Sequence, residues 1–463
     1  MWNVIPPSSF HALAGATLLL NLSASNELVS KADYRKSLIT GQSARSVAAY
    51  LYASAGNGES TTDLVYGGHC VIAENGVILA ENARFHMDSS IIYSDIDFER
   101  LYNIRMTETV FDQNDICEYR KVKIETVNEI ECINRKYSAH PFVPSNQNER
   151  SVRCEEIFNI QKHGFAKRLL HTNIKKGVIG ISGGLDSTLA LLATVETFKL
   201  IGKPLSDIIT VTMPGFGTTD RTYDNAVALC KLLGTELREI DIKDASLQHF
   251  KDIGHDHKVH DVTYENVQAR ERTQILMDIA NREGGLVIGT GDLSEIALGW
   301  STYNGDHISM YALNCGVPKT LIRYLILWVA DHSESTLKNI LKDIIDTPVS
   351  PELLPKSESG EIVQKTEDIL GPYEVHDFFL YHFVKYGVSP QKVLYLAKIA
   401  FDDKYSDMDL EKFLKTFIRR FFNNQFKRSC IPDGPKVGSI ALSPRGDWRM
   451  PSDASSTLWN SSF

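Results

Sequence analysis

The segment from Gly180 to Thr188, which reads Gly-Ile-Ser-Gly-Gly-Leu-Asp-Ser-Thr, is the part of the sequence best suited to bind an anion. Adjacent glycines let the backbone come close to a ligand, and a helix that begins after them directs its free N–H groups toward a phosphate. Ser182, Ser187 and Thr188 add hydroxyl donors. No Lys follows the glycines, so this is not a Walker loop. The pattern predicts a phosphate-binding loop of another kind.

Asp186 is the unusual residue in this loop. A carboxylate beside a phosphate requires a divalent cation between the two, and Mg2+ is the usual choice for oxygen ligands. The alternative is a purely structural turn between a strand and a helix, with Asp as a cap and glycines for tightness. The complete string favours the phosphate and Mg2+ site.

A second polar segment, Gly-Thr-Gly-Asp-Leu-Ser-Glu at residues 289–295, follows the apolar run Leu286–Gly289. Ligands of open parallel sheets bind at the carboxyl ends of the strands. We therefore expect Glu295 to face Asp186 across the site as a second Mg2+ ligand. The alternative is that Ser294 and Glu295 only begin the next helix.

The elements around these segments alternate between short apolar runs and helical stretches. The predicted strands are Val178–Ile181, Ile208–Met213, Leu237–Ile242 and Leu286–Gly289. The predicted helices are Cys154–Leu170, Ser187–Phe198, Ala226–Leu233 and Val262–Arg282. Such alternation predicts an α/β fold with a doubly wound parallel sheet covered by helices on both faces. The chain beyond Ser350 has a mixed, helical character without assignable boundaries.

Residues 1–143 have a different character, and the polar stretch 144–150 predicts a connector to a second domain at 144–463. Short β-like runs dominate here, at Leu18–Leu22, Val47–Ala53, His69–Ile72 and Val77–Ala80. Asn75-Gly76 between the last two indicates a type I′ hairpin turn. No Lys or Arg precedes the apolar stretch Ala12–Leu22. We therefore expect a short helix running into a buried strand, not a signal sequence.

The composition indicates a globular protein of two or three domains, with 463 residues, 43% of them hydrophobic and 23% charged. A net charge of −9 excludes nucleic acid as the main partner, and no stretch predicts a membrane span. The seven cysteines are scattered and form no CxxC pair. They predict neither a disulfide framework nor a zinc site, which fits a cytoplasmic protein. Cys70 lies in a strand pattern, where a packed core thiol is expected.

The string Ser182–Ser187 at a strand–helix junction resembles the ATP pyrophosphatases. The resemblance implies the adenine nucleotide alpha hydrolase-like fold, cleavage of ATP between its α and β phosphates, and an adenylate intermediate. The group includes NAD, GMP, asparagine and argininosuccinate synthetases and tRNA-modifying enzymes. The loop alone therefore indicates the chemistry but not the substrate.

Four further segments narrow the choice when they are taken together. They are Glu265–Arg270, Trp300–Tyr303, Gly316–Thr320 and Gln425–Ser429. In this order they are similar to the glutamine-dependent NAD synthetases, and the similarity covers nearly the whole chain. It implies a ligase that amidates deamido-NAD+ to NAD+ and converts ATP to AMP and pyrophosphate.

The resemblance also assigns roles to single positions. It implies ATP contacts at Gly180, Ile181, Ser182, Gly183, Gly184, Leu185, Asp186, Ser187, Thr290 and Lys319. It implies deamido-NAD contacts at Asn266, Arg270, Glu295, Trp300, Ser301, Thr302, Tyr303 and Lys427. Asp186 and Glu295 match the positions that bind Mg2+. Trp300 and Tyr303 form an aromatic pair suited to stacking on a heterocycle.

Residues 1 to about 140 resemble the second half of the family's glutaminase domain, a nitrilase-type αββα sandwich. The likeness rests on Asn21–Glu27, Gln42–Arg45 and Gly58–Leu64. The family's Glu–Lys–Cys triad precedes the matching segment, so we expect no triad residue here. Ser25 and Lys31 match vestigial glutamine-contacting positions. These matches predict an incomplete sandwich without glutaminase activity and a synthetase that uses free ammonia.

Several alternatives remain open at this point. The front half could be missing from an incomplete gene model, supplied by a second polypeptide, or naturally lost. The chain could be a catalytically inactive nucleotide-binding fragment or a subunit of a split enzyme. A tRNA thiolase or a GMP synthetase is disfavoured by the acidic charge, the absence of CxxC and the similarity to pyridine-specific enzymes. The family resemblance further implies a homo-oligomer.

Overall fold

The computed structural model describes residues 1–59, 63–111, 119–125, 133–217, 220–347 and 369–462. Cys117, Cys132 and part of the string Gly58–Leu64 lie outside the described residues. The chain forms two compact units. The first comprises Met1–Tyr137 with Tyr386–Val388, and the second Ser138–Lys385 with Ser389–Phe463.

The first unit contains a mixed four-stranded sheet. Its strands are β1 (Leu18–Ser23), β2 (Ala49–Ser54), β3 (Cys70–Glu74) and β4 (Val77–Glu81), in the order β1-β2-β3-β4. Strand β1 runs parallel to β2, and the other pairs are antiparallel. Its helices are α1 (Pro7–Leu13), α2 (Lys31–Ser46) and α3 (Phe98–Thr107). Asn75 and Gly76, between β3 and β4, have φ angles of 46° and 86°, as the predicted type I′ turn requires.

Helix α2 packs on one face of this sheet through Ile39, against Leu19, Tyr50 and Val71. The other face of β1 carries Leu18, Leu20 and Leu22, which are 38%, 71% and 89% exposed. Successive side chains of a strand point to opposite faces, so these leucines share one side. The prediction of a buried strand is therefore wrong for half of β1. One packed face and one partly exposed face make this unit a partial sandwich.

The second unit is built on a five-stranded parallel sheet. Its strands are β5 (Lys176–Gly180), β6 (Ile208–Thr212), β7 (Glu236–Glu239), β8 (Gly285–Gly289) and β9 (Tyr311–Ala312), in the order β7-β6-β5-β8-β9. Strand β7 ends earlier than predicted, because the chain turns into the next helix with Ile242 as its N-cap residue.

Helices surround this sheet and continue to the end of the unit. They are α4 (Gln147–Thr172), α5 (Leu185–Leu200), α6 (Asp220–Leu233), α7 (Lys243–Asp252), α8 (Val262–Glu283), α9 (Leu293–Leu298), α10 (Lys319–Asp331), α11 (Ser335–Ile345), α12 (Tyr373–Tyr386), α13 (Pro390–Ala400), α14 (Asp407–Asn423), α15 (Gln425–Arg428) and α16 (Thr457–Asn460). Single 3-10 turns lie at Thr109–Phe111 and Leu205–Asp207. The predicted connector 144–150 already contains the start of α4.

Neighbouring side chains of each strand enter separate cores on the two faces of the sheet. Ile179 and Ile288 join the core that includes Phe198 of α5 and Leu325 of α10. Val178 and Val287 join the core that includes Ile279 of α8. Helices therefore cover both faces, and the predicted doubly wound fold is confirmed.

The winding of the chain determines where a ligand can bind. From β5 the chain proceeds outward to β6 and β7, then returns to β8 and β9 on the other side of β5. A crevice opens at such a reversal, outside the carboxyl ends of the two central strands. The segments Gly180–Thr188 and Gly289–Glu295 directly follow β5 and β8, so both lie at this reversal.

Glu283 forms ion pairs at the end of the sheet opposite to the carboxyl ends of β5 and β8. Its carboxylate accepts hydrogen bonds from Lys176 Nζ at 2.7 Å and Arg238 Nη2 at 2.9 Å. These bonds lower the pKa of Glu283 from 4.5 to about 2. A depressed carboxyl pKa stabilises the folded state above the unfolded-state pKa, and this stabilisation is lost as pH falls from about 4.5 toward 2.

We expect Glu283→Gln to lower Tm at pH 7, and the difference from the parent to shrink as pH falls toward 2. Glu196→Gln is the control, because Glu196 pairs with Lys199 on an exposed helix face and such pairs contribute little. Equal Tm values for Glu283→Gln and the parent at pH 7, measured by calorimetry, would contradict this account.

Candidate active site

The loop between β5 and α5 is organised by its own hydroxyl groups. The Gly184 N–H donates to Ser182 Oγ at 3.2 Å, and the Ser187 hydroxyl donates to the Gly184 carbonyl at 3.2 Å. Gly184 is the N-cap residue of the 16-residue helix α5, and no described side chain caps that helix. The first N–H groups of α5 are thus available to an anion at this end of the helix.

Gly183 is required by both its conformation and its surroundings. Its φ is +83°, in the left-handed region that favours glycine. A Cβ at this position would lie 2.1 Å from the carbonyl oxygen of Thr222 in α6. The first turn of α6 therefore supports the loop from behind, and only glycine fits.

One ammonium group and three carboxylates meet at the reversal between β5 and β8. Lys319 Nζ lies 2.7 Å from Asp186 Oδ2, 2.7 Å from Asp292 Oδ2 and 2.9 Å from Glu295 Oε1. We call these four residues the Lys319 cluster. Lys319 is the first residue of α10, Asp186 lies in the first turn of α5, and the other two belong to the start of α9. The structure thus brings together Asp186 and Glu295, as expected.

Asp292 is the member of the cluster that sequence reasoning missed. It is fully buried and is the N-cap residue of α9. Its Oδ1 accepts the Glu295 N–H at 2.8 Å, and Glu295 Oε2 accepts the Asp292 N–H at 3.4 Å. This reciprocal capping box was visible in the spacing Asp-x-x-Glu directly after a strand.

Burial and mutual repulsion set the protonation of the cluster. Burial raises the pKa of Glu295 to about 7, against the opposing effect of Lys319. Burial and the neighbouring Glu295 also raise the pKa of Asp292 well above its ordinary value. Burial alone would lower the pKa of Lys319, but the three carboxylates outweigh it and raise that pKa. Lys319 therefore stays charged, and burial favours the protonated forms of Asp292 and Glu295 unless a further cation is bound.

The donor set of the cluster fits a divalent cation. Ligand oxygens of Asp186, Asp292 and Glu295 all lie within 4.8 Å of one another. Asp186 Oδ1 is buried and has no hydrogen-bond partner among the described residues. Hard cations such as Mg2+ prefer carboxylate oxygens, so the residues present suit Mg2+.

Asn314 joins the two loops at the carboxyl ends of β5 and β8. Its Nδ2 donates to the Asp186 carbonyl at 2.9 Å and to the Thr290 carbonyl at 3.1 Å. Gln161 of α4 donates to Asn314 Oδ1 at 3.0 Å and so fixes the amide. Both side chains are fully buried. Asn314 thereby links Thr290 to the loop between β5 and α5, a contact that no local motif signalled.

Helix α8 contributes two of the residues expected to contact substrate. Asn266 Oδ1 accepts a hydrogen bond from the Thr302 hydroxyl at 2.8 Å. Arg270 Nε donates to the Tyr303 carbonyl at 3.3 Å. Both predicted residues of α8 thus lie against the segment that follows α9.

Lys427 approaches the same segment from α15. Its Nζ donates to the carbonyls of Gly299 and Ser301 at 2.8 and 2.7 Å. A pocket opens beside it, lined by Gly289, Gly291, Glu295, Ile296, Gly299, Ser301, Asp306, His307, Ser309, Ala312, Lys427, Arg428, Ile431 and Pro432. One pocket thus connects the Lys319 cluster, through Glu295, with Ser301 and Lys427.

The two aromatic residues of this segment each contact other side chains. The guanidinium of Arg420 lies 4.9 Å from the centre of the Trp300 ring. The Tyr303 ring stacks on His307 with centroids 5.0 Å apart and also contacts Phe426 at 5.4 Å. A heterocycle that stacked on the Trp300 or Tyr303 ring would therefore contact a ring that also packs against protein side chains.

Comparison with known proteins agrees with this geometry. The sequence profile of the NAD synthase family matches residues 157–429. The glutamine-dependent NAD(+) synthetase of Mycobacterium leprae is 42% identical, over 99% of this chain and 72% of that protein. The chain belongs to the glutamine-dependent NAD(+) synthetase family. The synthetase of Thermotoga maritima is 30% identical over 97% of the chain and 72% of its own length.

A crystal structure of a glutamine-dependent NAD(+) synthetase from Cytophaga hutchinsonii supports the fold. It is 21% identical, has a TM-score of 0.56, and the match covers 97% of this chain and 70% of that one. Membership of the family places this chain among the ligases of NAD biosynthesis, which bind a nucleotide. In the described part of the chain, no helix combines the length and apolar character that crossing a membrane requires.

Ser25 and Lys31, for which the sequence resemblance predicts vestigial glutamine-contacting positions, both lie in the first unit. Ser25 is buried, and its hydroxyl accepts a bond from Arg35 Nη2 at 3.4 Å. Lys31 Nζ donates to Asn26 Oδ1 at 2.8 Å. Cys70 of this unit is half-buried, so it is not the packed core thiol that was expected, although its partial burial raises the pKa of its thiol. The five cysteines described are all free thiols.

Gly183→Ala tests the predicted phosphate-binding role of the loop between β5 and α5. We expect it to abolish nucleotide binding, because the new Cβ must displace either the loop or the Thr222 carbonyl. The control is Gly202→Ala, where φ is also positive, at +67°, but nothing lies within 4 Å of a Cβ. That change costs only the conformational strain, about 1–2 kcal/mol. Isothermal titration calorimetry with ATP reports binding, and retained affinity in Gly183→Ala would refute the proposed fit.

Proposed function

We propose that this chain catalyses the ATP-dependent amidation of deamido-NAD+ through an adenylate, giving NAD+, AMP and pyrophosphate. We further propose that the 463-residue polypeptide uses free ammonia as its nitrogen donor. The observation that carries the proposal is the Lys319 cluster, because it places three carboxylates and one ammonium beside a phosphate loop. Family membership supports the reaction and its use of ATP.

The chemistry explains why such a cluster is needed. Ammonia does not displace oxide from a carboxylate, so the nicotinate carboxylate must first be activated. An oxygen of that carboxylate attacks the α phosphate of ATP, the bond to the β phosphate breaks, and pyrophosphate leaves. Ammonia then attacks the acyl carbon, and AMP leaves as a weakly basic group. Both steps develop negative charge on phosphate oxygens.

The phosphate side of the site is assigned to the loop and to Lys319. The residues proposed to contact ATP are Gly180, Ile181, Ser182, Gly183, Gly184, Leu185, Asp186, Ser187, Thr290 and Lys319. The N–H groups of α5 and the ammonium of Lys319 would offset the developing charge. Asp186, Glu295 and the buried Asp292 would hold Mg2+, which when bound supplies further positive charge to the phosphates.

The deamido-NAD side is assigned to the pocket and its neighbours. The proposed contacts are Asn266, Arg270, Glu295, Trp300, Ser301, Thr302, Tyr303 and Lys427. The hydrogen bond between Asn266 and Thr302 and the hydrogen bond between Lys427 and the Ser301 carbonyl support a common site for these residues. Glu295 belongs to both sides, which suits a residue close to the bond being formed.

Three broader proposals accompany this assignment. Residues 1–143 act as a glutaminase-like part and residues 144–463 as the synthetase part. The raised pKa of Cys70 supports the proposal that this thiol does not serve as a nucleophile for glutamine. The protein works in the cytoplasm as a homo-oligomer.

The test is NAD+ formation by the purified chain from deamido-NAD+, ATP and Mg2+, with either ammonium or glutamine. We expect product with ammonium and none with glutamine. Asp186→Ala should lower the ammonium rate roughly a hundredfold, since one lost charge contact costs about 3 kcal/mol of transition-state stabilisation. Glu283→Gln, at the opposite end of the sheet, is the matched control and should retain the rate.

Two other outcomes of this assay would contradict parts of the proposal. Product with glutamine from a homogeneous sample would contradict the assignment of ammonia as the only donor. A folded protein that forms no NAD+ with either donor would contradict the proposed activity and favour an inactive nucleotide-binding fragment.

A further inference from the structure

Helix α12 presents two buried residues to the elements that carry the Lys319 cluster. Tyr373 and Asp377 are four residues apart and therefore lie on one face of the helix. The Tyr373 ring centre lies 5.3 Å from Lys319 Nζ. Asp377 is 1% exposed. Neither the motifs of the sequence nor the proposed substrate contacts include this helix.

The Asp377 carboxylate bonds to two other helices. One oxygen accepts a hydrogen bond from the Ser294 hydroxyl in α9. The other accepts the Thr320 N–H at 3.1 Å and the Thr320 hydroxyl at 2.7 Å, both in α10. Thus a single side chain joins α9 and α10.

These bonds replace the missing cap of α10. The N-cap residue of that helix is Pro318, which offers no side-chain acceptor. The Lys319 N–H instead donates to Ser294 Oγ at 2.9 Å. Two of the N–H groups at the helix start, those of Lys319 and Thr320, are satisfied by Ser294 and Asp377. A carboxylate near a helix N-terminus is also favoured by the helix dipole.

We propose that Asp377 is a positioning residue that sets the distance between Lys319 and the carboxylates of Asp292 and Glu295. It acts through Ser294, the neighbour of Glu295 in α9, and through Thr320, the neighbour of Lys319 in α10. Asp377 bonds to Ser294 and Thr320, neither of which is among the residues proposed to contact substrate or cation, so we assign it a positioning and not a catalytic role. This inference rests on the proposed function, because it concerns the geometry of the same site.

Asp377→Asn is the sharpest test, since it keeps the volume and removes one acceptor. With the amide oxygen turned toward Thr320, the NH2 group faces the Ser294 hydroxyl, which must then reverse from donor to acceptor, so the charge-assisted bond between these two side chains is lost. Displacement of a catalytic group by about 1 Å costs on the order of a hundredfold in rate. We expect kcat to fall roughly 10- to 100-fold.

A positioning role and a purely structural role of Asp377 are distinguished by how the KM values for the two substrates change. The KM for ATP and the Mg2+ concentration for half-maximal rate should both rise, because Lys319 and the carboxylates serve the phosphate side. The KM for deamido-NAD+ should rise less than the KM for ATP, since Asn266 and Lys427 are held by other bonds and only Glu295 is shared with the phosphate side. Ser294→Ala, a milder change, should shift the same parameters in the same direction. Glu283→Gln is again the control.

Two results would contradict the positioning role of Asp377. Parental kcat and KM values in folded Asp377→Asn would overturn the proposal. So would a loss of rate that only follows the folded fraction measured by circular dichroism, with the KM values and Mg2+ response unchanged.

A parent chain that makes no NAD+ would refute the proposed function, and the position of Asp377 is then tested by ATP binding in the presence of Mg2+. Weaker binding by Asp377→Asn would support the inference, and equal affinity would overturn it.

Discussion

Three carboxylates, of which Asp292 is fully buried and Asp186 and Glu295 are partly buried, converge on a single ammonium group and impose the main constraint on this protein. Asp186, Asp292 and Glu295 carry up to three negative charges, and Lys319 supplies one positive charge. Burial of unbalanced charge is costly. The raised pKa values of Asp292 and Glu295 show that protons can neutralise part of this charge, and a bound cation can do so instead. A nucleotide that brings a divalent cation would supply that positive charge.

Much of the second unit serves to bring these four side chains together. The reversal between β5 and β8 places the starts of α5 and α9 side by side, and the capping box fixes Asp292 against Glu295. Asn314 and Gln161 fix the backbone behind Asp186, and Asp377 fixes the start of α10. Each of these contacts is made by a polar group buried in the unit, so its loss would leave unsatisfied partners as well as a displaced charge.

The sequence predicted those parts of the site that are encoded in short segments. The string Ser182–Ser187 and the position of Glu295 after a strand were sufficient to place Asp186 and Glu295 together. Asp292 also had a local signal, in its spacing from Glu295, and it was overlooked. Asn314 and Asp377 had none, because each acts on residues 24 to 128 positions away through a single buried side chain.

In the fold, too, features set by local sequence were predictable, whereas features set by distant contacts were not. Periodicity predicted the parallel sheet and its helices, and the structure confirms both. The burial of β1 was predicted from its apolar composition alone, whereas the structure exposes Leu18, Leu20 and Leu22 on one face. Composition does not reveal which face of an apolar strand has a partner. The chain beyond Ser350 was not assigned, although α12 from that region completes the back of the site.

The most direct test of the central constraint is the thermal stability of Lys319→Met with and without MgCl2. Met keeps most of the side-chain volume but removes the charge that faces the three carboxylates. We predict a lower Tm than the parent without Mg2+, because breaking a buried pair costs about 3–5 kcal/mol. Mg2+ should then raise the Tm of the variant more than that of the parent. An unchanged Tm without Mg2+, with no greater response to Mg2+ than the parent shows, would contradict the account.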